Sequence, residues 1–224
     1  MFRVAARELP ETLRIARPGT TVAFAKRDAV APGYAAAVRA AREHGFEATL
    51  RLAGGRAAIF DDGTMEIGHA VPDDEPRAGI HERFERTAER LARALAALGV
   101  DARVGEVAGE YCPGRYSVNA RGAVKLAGIG QRVVSGGSHT GVVLVIEGED
   151  RINSVLEPVY AALRLDWQPA ATGSVRTEAP SATWDRVSDA LVTEYAREYD
   201  LTSTELDPDT LALAKQLAAE HRVR

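Results

Sequence analysis

The sequence is short of several things that other proteins of its size use. Among 224 residues there is one cysteine, Cys112. That excludes an intramolecular disulfide and any cysteine-rich zinc site, and it fits a reducing cytoplasm. Lysine is nearly absent: Lys26, Lys125 and Lys215 stand against 25 arginines. Arginine stays charged and fork-shaped, whereas lysine is a compact donor that burial can tune. A lysine retained inside a motif is therefore conspicuous, and Lys125 is such a lysine. No apolar run is long; Gly141 to Ile146 is far short of a bilayer span. Met1 to Glu8 carries no apolar core of a signal peptide. Basic surplus is missing too. A formal net charge of −4 argues against a dedicated nucleic-acid binder. Neither nucleic acid nor membrane is expected as a partner. The five histidines, His44, His69, His81, His139 and His221, form no ligand pair, so no metal is expected. The P-loop, the dinucleotide-binding glycine pattern and the G-x-S-x-G elbow are all missing, as are repeats and low-complexity tracts.

What remains is ordinary globular composition, 46% apolar and 27% charged. The length suits one large domain over residues 1–224, with 168–180 linking it to C-terminal helices. Strand and helix patterns alternate. Thr20 to Ala25 reads as a strand, Pro32 to His44 as a helix stopped by Gly45, and Phe46 to Leu52 as a strand by its alternation. A short strand around Ala58 to Phe60, a turn at Asp61-Asp62-Gly63 and a return strand Thr64 to Ala70 form an expected hairpin. Phe84, Ala88, Leu91, Leu95 and Leu98 mark a helix ended by Gly99. Val100 to Val107 reads as a strand. A second hairpin turns at Arg121-Gly122 between Tyr116–Asn119 and Ala123–Ala127, and residues 141–147 form the strongest strand. Three helices follow, begun by Asp150, Ser181 and Asp207-Pro208.

Three segments carry possible chemistry. Cys112 sits in Gly109-Glu110-Tyr111-Cys112-Pro113-Gly114, a glycine-flanked loop. A free cysteine is most often a small buried hydrophobe, yet a loop gives the access that a reactive thiol needs. Lys125 opens Lys125-Leu126-Ala127-Gly128-Ile129-Gly130-Gln131-Arg132. Alone, this reads best as an exposed strand lysine before a turn. Arg51-Leu52-Ala53-Gly54-Gly55 alone is most often just a turn, with a bend that faces a ligand as the other reading. Ser135 to His139 reads as a flexible connection.

Taken in order, these segments resemble the lipoate/biotin protein ligase and octanoyltransferase superfamily. The likeness rests on Arg-x-x-Gly-Gly at 51–55, the Asp61-Asp62-Gly63 turn, and the strand lysine followed by Ala127-Gly128. Tyr111-Cys112-Pro113-Gly114, with the Gln131-Arg132 end of the lysine segment, is similar to the lipoyl amidotransferase branch. Gly55 is followed by Arg56, where ATP-dependent ligases often have a third glycine.

The resemblance implies a mixed α/β (α+β) fold: a central, mixed and mostly antiparallel sheet flanked by helices, with a short helical C-terminal segment. It implies an acyltransferase moving octanoyl or lipoyl groups between carrier lysines through a thioester on Cys112. Lys125 would donate to the acyl oxygen and lower the thiol pKa, with backbone N–H groups near Gly128 assisting. Arg51, Gly54, Gly55, Gly128 and Gln131 would line the substrate site. Donor and acceptor would be lipoyl carrier domains, the glycine cleavage H protein and the E2 domains of 2-oxoacid dehydrogenases. No cofactor is implied. ATP with magnesium enters only in the alternative reading, an ATP-dependent ligase of the same fold, in which Cys112 is incidental. A third reading, resting on the short stretch before Thr20, is a non-catalytic protein that binds acylated carrier domains.

Overall fold

The computed structural model describes residues 1–223. In chain order the elements are α1 (Phe2–Ala5), β1 (Thr12–Ala16), β2 (Thr21–Phe24), α2 (Lys26–Ala29), α3 (Tyr34–Glu43), β3 (Glu47–Leu50), β4 (Ala58–Phe60) and β5 (Thr64–Pro72). Then come α4 (Ile80–Ala96), β6 (Ala102–Val104), β7 (Val118–Ala120), β8 (Val124–Val134), β9 (Gly137–Val145), α5 (Glu149–Leu163), α6 (Val175–Glu178), α7 (Trp184–Ala196) and α8 (Pro208–His221). Among these no helix is long and apolar enough to cross a membrane.

The strands form two sheets. Six run antiparallel in the order β1-β5-β9-β8-β7-β6, and three form a smaller mixed sheet, β3-β2-β4. Each sheet has its own core. The large sheet buries Met65, Ile67, Leu126, Val142 and Leu144 against Ala88, Leu91 and Leu95 of α4 and Val187 and Leu191 of α7. Those helices present the face that their three- and four-residue spacing predicts, and each buried leucine stabilises by about 1.5–3 kcal/mol. The small sheet packs Val22, Phe24 and Ile59 against Val38 and Ala41 of α3 and Val155, Leu156 and Val159 of α5. The expected fold class, a mixed and mostly antiparallel β structure flanked by helices, is the one observed.

Several local expectations are corrected. Asp61-Asp62-Gly63 is a corner between sheets, not a hairpin: β4 pairs with β2, while β5 pairs with β1 and β9. The turn chemistry was read properly, since Asp61 Oδ1 accepts the Gly63 N–H at 3.0 Å. Packing chose the partner. A Cβ on Gly63 would lie 2.5 Å from the Glu147 carbonyl oxygen, where the chain passes between sheets. The Gly54-Gly55 bend is not a hairpin either, because β3 and β4 flank β2 on opposite sides. β8 does not stop at Ala127. Glycines weaken the strand signal, yet Gly128 and Gly130 are paired with Val143 and Gly141 of β9. Residues 135–139 are accordingly a tight hairpin at Ser135-Gly136, not a flexible connection. β1 carried no recognised signal. α5 and α7 begin at Gly148 and Thr183 rather than at Asp150 and Ser181. Residues 168–180 join α5 to α7 through a 3-10 turn and α6, with Ala171, Thr172, Ser174 and Val175 buried.

Candidate active site

A cleft of about 960 Å³ opens between the two sheets. Arg51, Gly54, Gly55, Cys112, Lys125, Gly128 and Gln131 all contribute to its wall, although they are spread over some eighty residues of sequence.

Lys125 and Gly128 are three apart, a spacing that would put them on opposite faces of a regular strand. A register shift between β7 and β8 pairs Asn119 with Lys125 but Val118 with Ala127, and this bulge re-aims the strand. Lys125 and Gly128 consequently share the cleft face, where a Cβ on Gly128 would lie 3.5 Å from Lys125 Cε. Beyond the bulge, Gly130 also faces the cleft. It pairs with Gly141, and Gly141 with Gly68, so three glycines lie in register across β8, β9 and β5. The imidazole of His139 rests in this trough; a Cβ on Gly68 would meet its Nε2 at 2.9 Å. Burial holds His139 below the usual imidazole pKa.

The loop before β7 is organised by a residue that the motif reading passed over. Glu110 is 2% exposed and accepts four hydrogen bonds. These come from the Val107 N–H (3.0 Å), the Gly114 N–H (2.9 Å), Ser117 Oγ (2.6 Å) and Lys125 Nζ (3.0 Å). Lys125, 1% exposed, spends its other two N–H bonds on the carbonyls of Tyr111 (3.0 Å) and Cys112 (2.8 Å). All three of its donors thus serve acceptors of the protein itself. A buried ion pair satisfied in this way is rigid, and removal of one partner is costly.

Cys112 holds a positive φ of 44°, which is unusual outside glycine. Its N–H donates to Tyr160 Oη at 2.8 Å, and Tyr160 in turn donates to the Ala57 carbonyl at 3.1 Å. Burial pushes the Tyr160 phenol well above its ordinary value, so it stays protonated for that bond. Around the sulfur, the Arg56 N–H donates at 3.1 Å and Arg51 Nη2 at 3.4 Å. Gly55, at φ +106°, permits this approach; a Cβ there would sit 2.5 Å from Arg51 Nη2 and 2.7 Å from Cys112 Sγ. Gln131, at the cleft wall, also has a structural duty. It donates to the Ile80 carbonyl at 2.8 Å and accepts from Arg83 Nε at 3.2 Å, which ties the start of α4 to the cleft rim.

Sequence reasoning missed Glu110, Arg56, Tyr160 and Asp28. Glu110 had a signal, its adjacency to the cysteine motif. The others had none, because their roles arise from contacts made across the fold. Among the described residues no three His, Cys, Asp or Glu side chains converge to hold a metal.

The model of the lipoyl protein ligase A/B catalytic domain matches residues 2–195. The chain is 32% identical over 128 residues to the octanoyl-[GcvH]:protein N-octanoyltransferase of Geobacillus kaustophilus, covering 57% of this chain and 45% of that one. It is 34% identical over 145 residues to the enzyme of that name from Exiguobacterium sibiricum, covering 63% and 52%. The lipoyl-[GcvH]:protein N-lipoyltransferase of Listeria monocytogenes is 27% identical over 153 residues, covering 68% and 55%. The chain thus spans about half the length of the curated relatives it matches. In fold it is similar to lipoate-protein ligase A bound with ATP, with a TM-score of 0.74 at 18% identity, covering 97% of this chain and 87% of that one. It also resembles a bipartite lipoate protein ligase from Thermoplasma acidophilum, with a TM-score of 0.71 at 17% identity, covering 96% and 84%. With most of its length, including every strand of both sheets, matched by one family model, the chain belongs to the lipoyl protein ligase A/B catalytic domain family.

Proposed function

We propose that this protein transfers an octanoyl or lipoyl group between lysines of carrier proteins through a thioester on Cys112, without ATP. The observation that carries the reading is the sulfur of Cys112 at the cleft wall with two donors, the Arg56 N–H and Arg51, aimed at it. A structural cysteine has no need of a cation and an amide turned toward its sulfur. Thiolate is the nucleophile in such chemistry, and those donors meet its charge.

In the first step the sulfur attacks the carbonyl carbon of an acylated lysine. The S–C bond forms as the π pair moves onto oxygen. As that pair returns, the C–N bond breaks and the departing lysine nitrogen takes up the proton given up by the thiol. In the second step the amine of an acceptor lysine attacks the thioester, the C–S bond breaks, and the amine's proton returns to sulfur. No carboxylate has to be activated, so no nucleotide is consumed.

The glycine trough supports the choice of cargo. Where Gly128, Gly130 and Gly141 reach the cleft, bare backbone leaves room for an alkyl chain beside His139, and each buried methylene is worth about 0.8 kcal/mol. The names of the similar proteins support a glycine cleavage H protein as one carrier; E2 lipoyl domains are the acceptors this reading adds.

The test is direct. Purified protein is incubated with an octanoylated H protein without ATP, and its intact mass is read. An octanoyl adduct on Cys112, passed on to a second carrier, is expected. Transfer that requires ATP and survives Cys112→Ser establishes the ligase reading. A protein that is inert with and without ATP, yet binds acylated carriers, is a binding module.

A further inference from the structure

Two buried carboxylates, Glu110 and Asp28, hold the segments that border Cys112. Glu110 holds the cysteine loop. The other, Asp28 at the start of α2, is fully buried. Its Oδ2 accepts the Ala25 N–H at 2.9 Å, and its Oδ1 accepts from Arg56 Nη1 at 3.2 Å. Arg56 is therefore gripped by its side chain while its backbone works at the site. Its N–H points to Cys112 Sγ, and its carbonyl accepts from Arg51 Nη2. Arg51 closes the ring, since the same Nη2 reaches the sulfur. Residues 51–56 thus form a loop whose two ends both aim a donor at one point. Arg51 Nε–H is buried at this cleft and has no acceptor in the protein. Donors around a turn opened by a positive-φ glycine make a concave anion receptor.

Lys125 differs. Its three N–H bonds are satisfied by Glu110 and by the carbonyls of Tyr111 and Cys112. It could reach an acyl oxygen only by abandoning a buried acceptor. The oxygen of a tetrahedral intermediate lies two bonds from the sulfur, so donors already converging on Sγ need only a small turn to reach it, within the roughly 2.7–3.1 Å that such stabilisation requires.

Resting on the thioester reading above, we infer that the Arg51 guanidinium and the Arg56 N–H form the oxyanion pocket of the transfer. Asp28 is a positioning residue that acts through Arg56, and Lys125 holds the cysteine loop.

Single-turnover formation of the octanoyl–Cys112 adduct, read by quenched intact mass with an octanoylated H protein, tests this. Affinity for the same carrier is measured in parallel in a Cys112→Ala background. Arg51→Gln slows adduct formation by about a hundred- to a thousandfold, the loss typical of one deleted oxyanion donor. Its carrier affinity stays within about threefold of the parent, a difference under 1 kcal/mol. Asp28→Asn and Arg56→Ala each slow it by about ten- to a hundredfold, as displacement of a donor does. The double variant is no slower than Arg56→Ala, because both act through one link. Arg56→Lys, which can still pair with Asp28, recovers much of the rate. If Arg51→Gln fails to fold by circular dichroism, Arg51→Lys is read in its place; it keeps the charge without the fork, and its rate falls while affinity holds. A parent that forms no adduct ends the thioester reading and this inference together. A parent that acylates while the Arg51 variants acylate equally fast overturns this inference alone and returns the oxyanion to Lys125. Additive losses in the Asp28→Asn/Arg56→Ala double variant, or losses in affinity that match those in rate, reduce Asp28 to a structural residue.

Discussion

The two ends of the cleft are built on opposite principles. At the Cys112 end most polar groups are committed: Glu110 accepts four hydrogen bonds, Lys125 donates three, and Tyr160 bridges the cysteine loop to Ala57. At the other end the wall is bare backbone at Gly130 and Gly141, with His139 packed over their neighbour Gly68. On the acyl-transfer reading proposed above, the difference follows from what each end would have to recognise. A reacting carbonyl develops charge at one atom, which rewards donors held to within a fraction of an ångström. An alkyl chain has no such atom, and space with an apolar wall is all that it asks. One end is therefore rigid and intolerant of change, while the other is expected to be tunable.

The largest expected effect breaks the first end outright. Cys112→Ser is expected to abolish carrier-to-carrier transfer, by at least about a thousandfold, because a serine hydroxyl is a far weaker nucleophile without a strong base. Its melting temperature should move little, since one atom of a partly buried loop residue changes and the Glu110 network is intact. An active serine variant would remove cysteine chemistry from the comparison.

Next comes the clamp beneath the cysteine. Lys125→Met leaves the Glu110 carboxylate buried without its cation, a loss on the order of 3–5 kcal/mol. At this chain length that corresponds to a fall in melting temperature of about 6 to 20 degrees. Lys125→Arg is also expected to destabilise, because a larger planar fork must enter a slot that leaves lysine 1% exposed. Thermal melts of the two variants beside Cys112→Ser check this; unchanged melting in both lysine variants would mean that Glu110 relaxes to solvent.

The other end gives a smaller and different response. Gly130→Val places a side chain over the trough, where even a Cβ approaches Ala53 Cβ to 3.0 Å. If four methylenes lose their burial, about 3 kcal/mol of binding goes with them, on the order of a hundredfold. Octanoyl transfer is expected to fall by that factor relative to butanoyl transfer, measured as a ratio of kcat/KM values. An equal loss for both cargoes would place the acyl chain elsewhere.

The smallest effect is on pH dependence. His69 and His139 are both held below the ordinary imidazole value of 6.5, each chiefly by burial. Their unfolded forms therefore bind protons at a higher pH than the folded ones. Stability is expected to fall as the pH drops below about 6.5 and to level off once the folded imidazoles are also charged. Melting temperatures from about pH 7.5 to 5.5 test the sign, and His139→Gln should flatten part of the slope.

The division between what the chain's letters reveal and what folding adds runs along the same line. By itself the sequence determined the amphipathic helices, the hairpin at Arg121-Gly122, the loop setting of Cys112 and the motif residues of the cleft wall. Each of these is written in local spacing or in a short word such as Tyr-Cys-Pro-Gly. Only the tertiary structure decided that β4 and β5 part company at Asp61-Asp62-Gly63, since a turn motif specifies a bend and not a partner. It alone decided that Lys125 is clamped rather than free, because its acceptors lie thirteen to fifteen residues away in a loop with no regular period. Asp28 and Arg56 show the limit most clearly. They are 28 residues apart on different elements, and Arg56 reaches the Cys112 sulfur across a further 56. Nothing in local sequence encodes such distances; they are set when two separately cored sheets close on one another and leave a cleft between them.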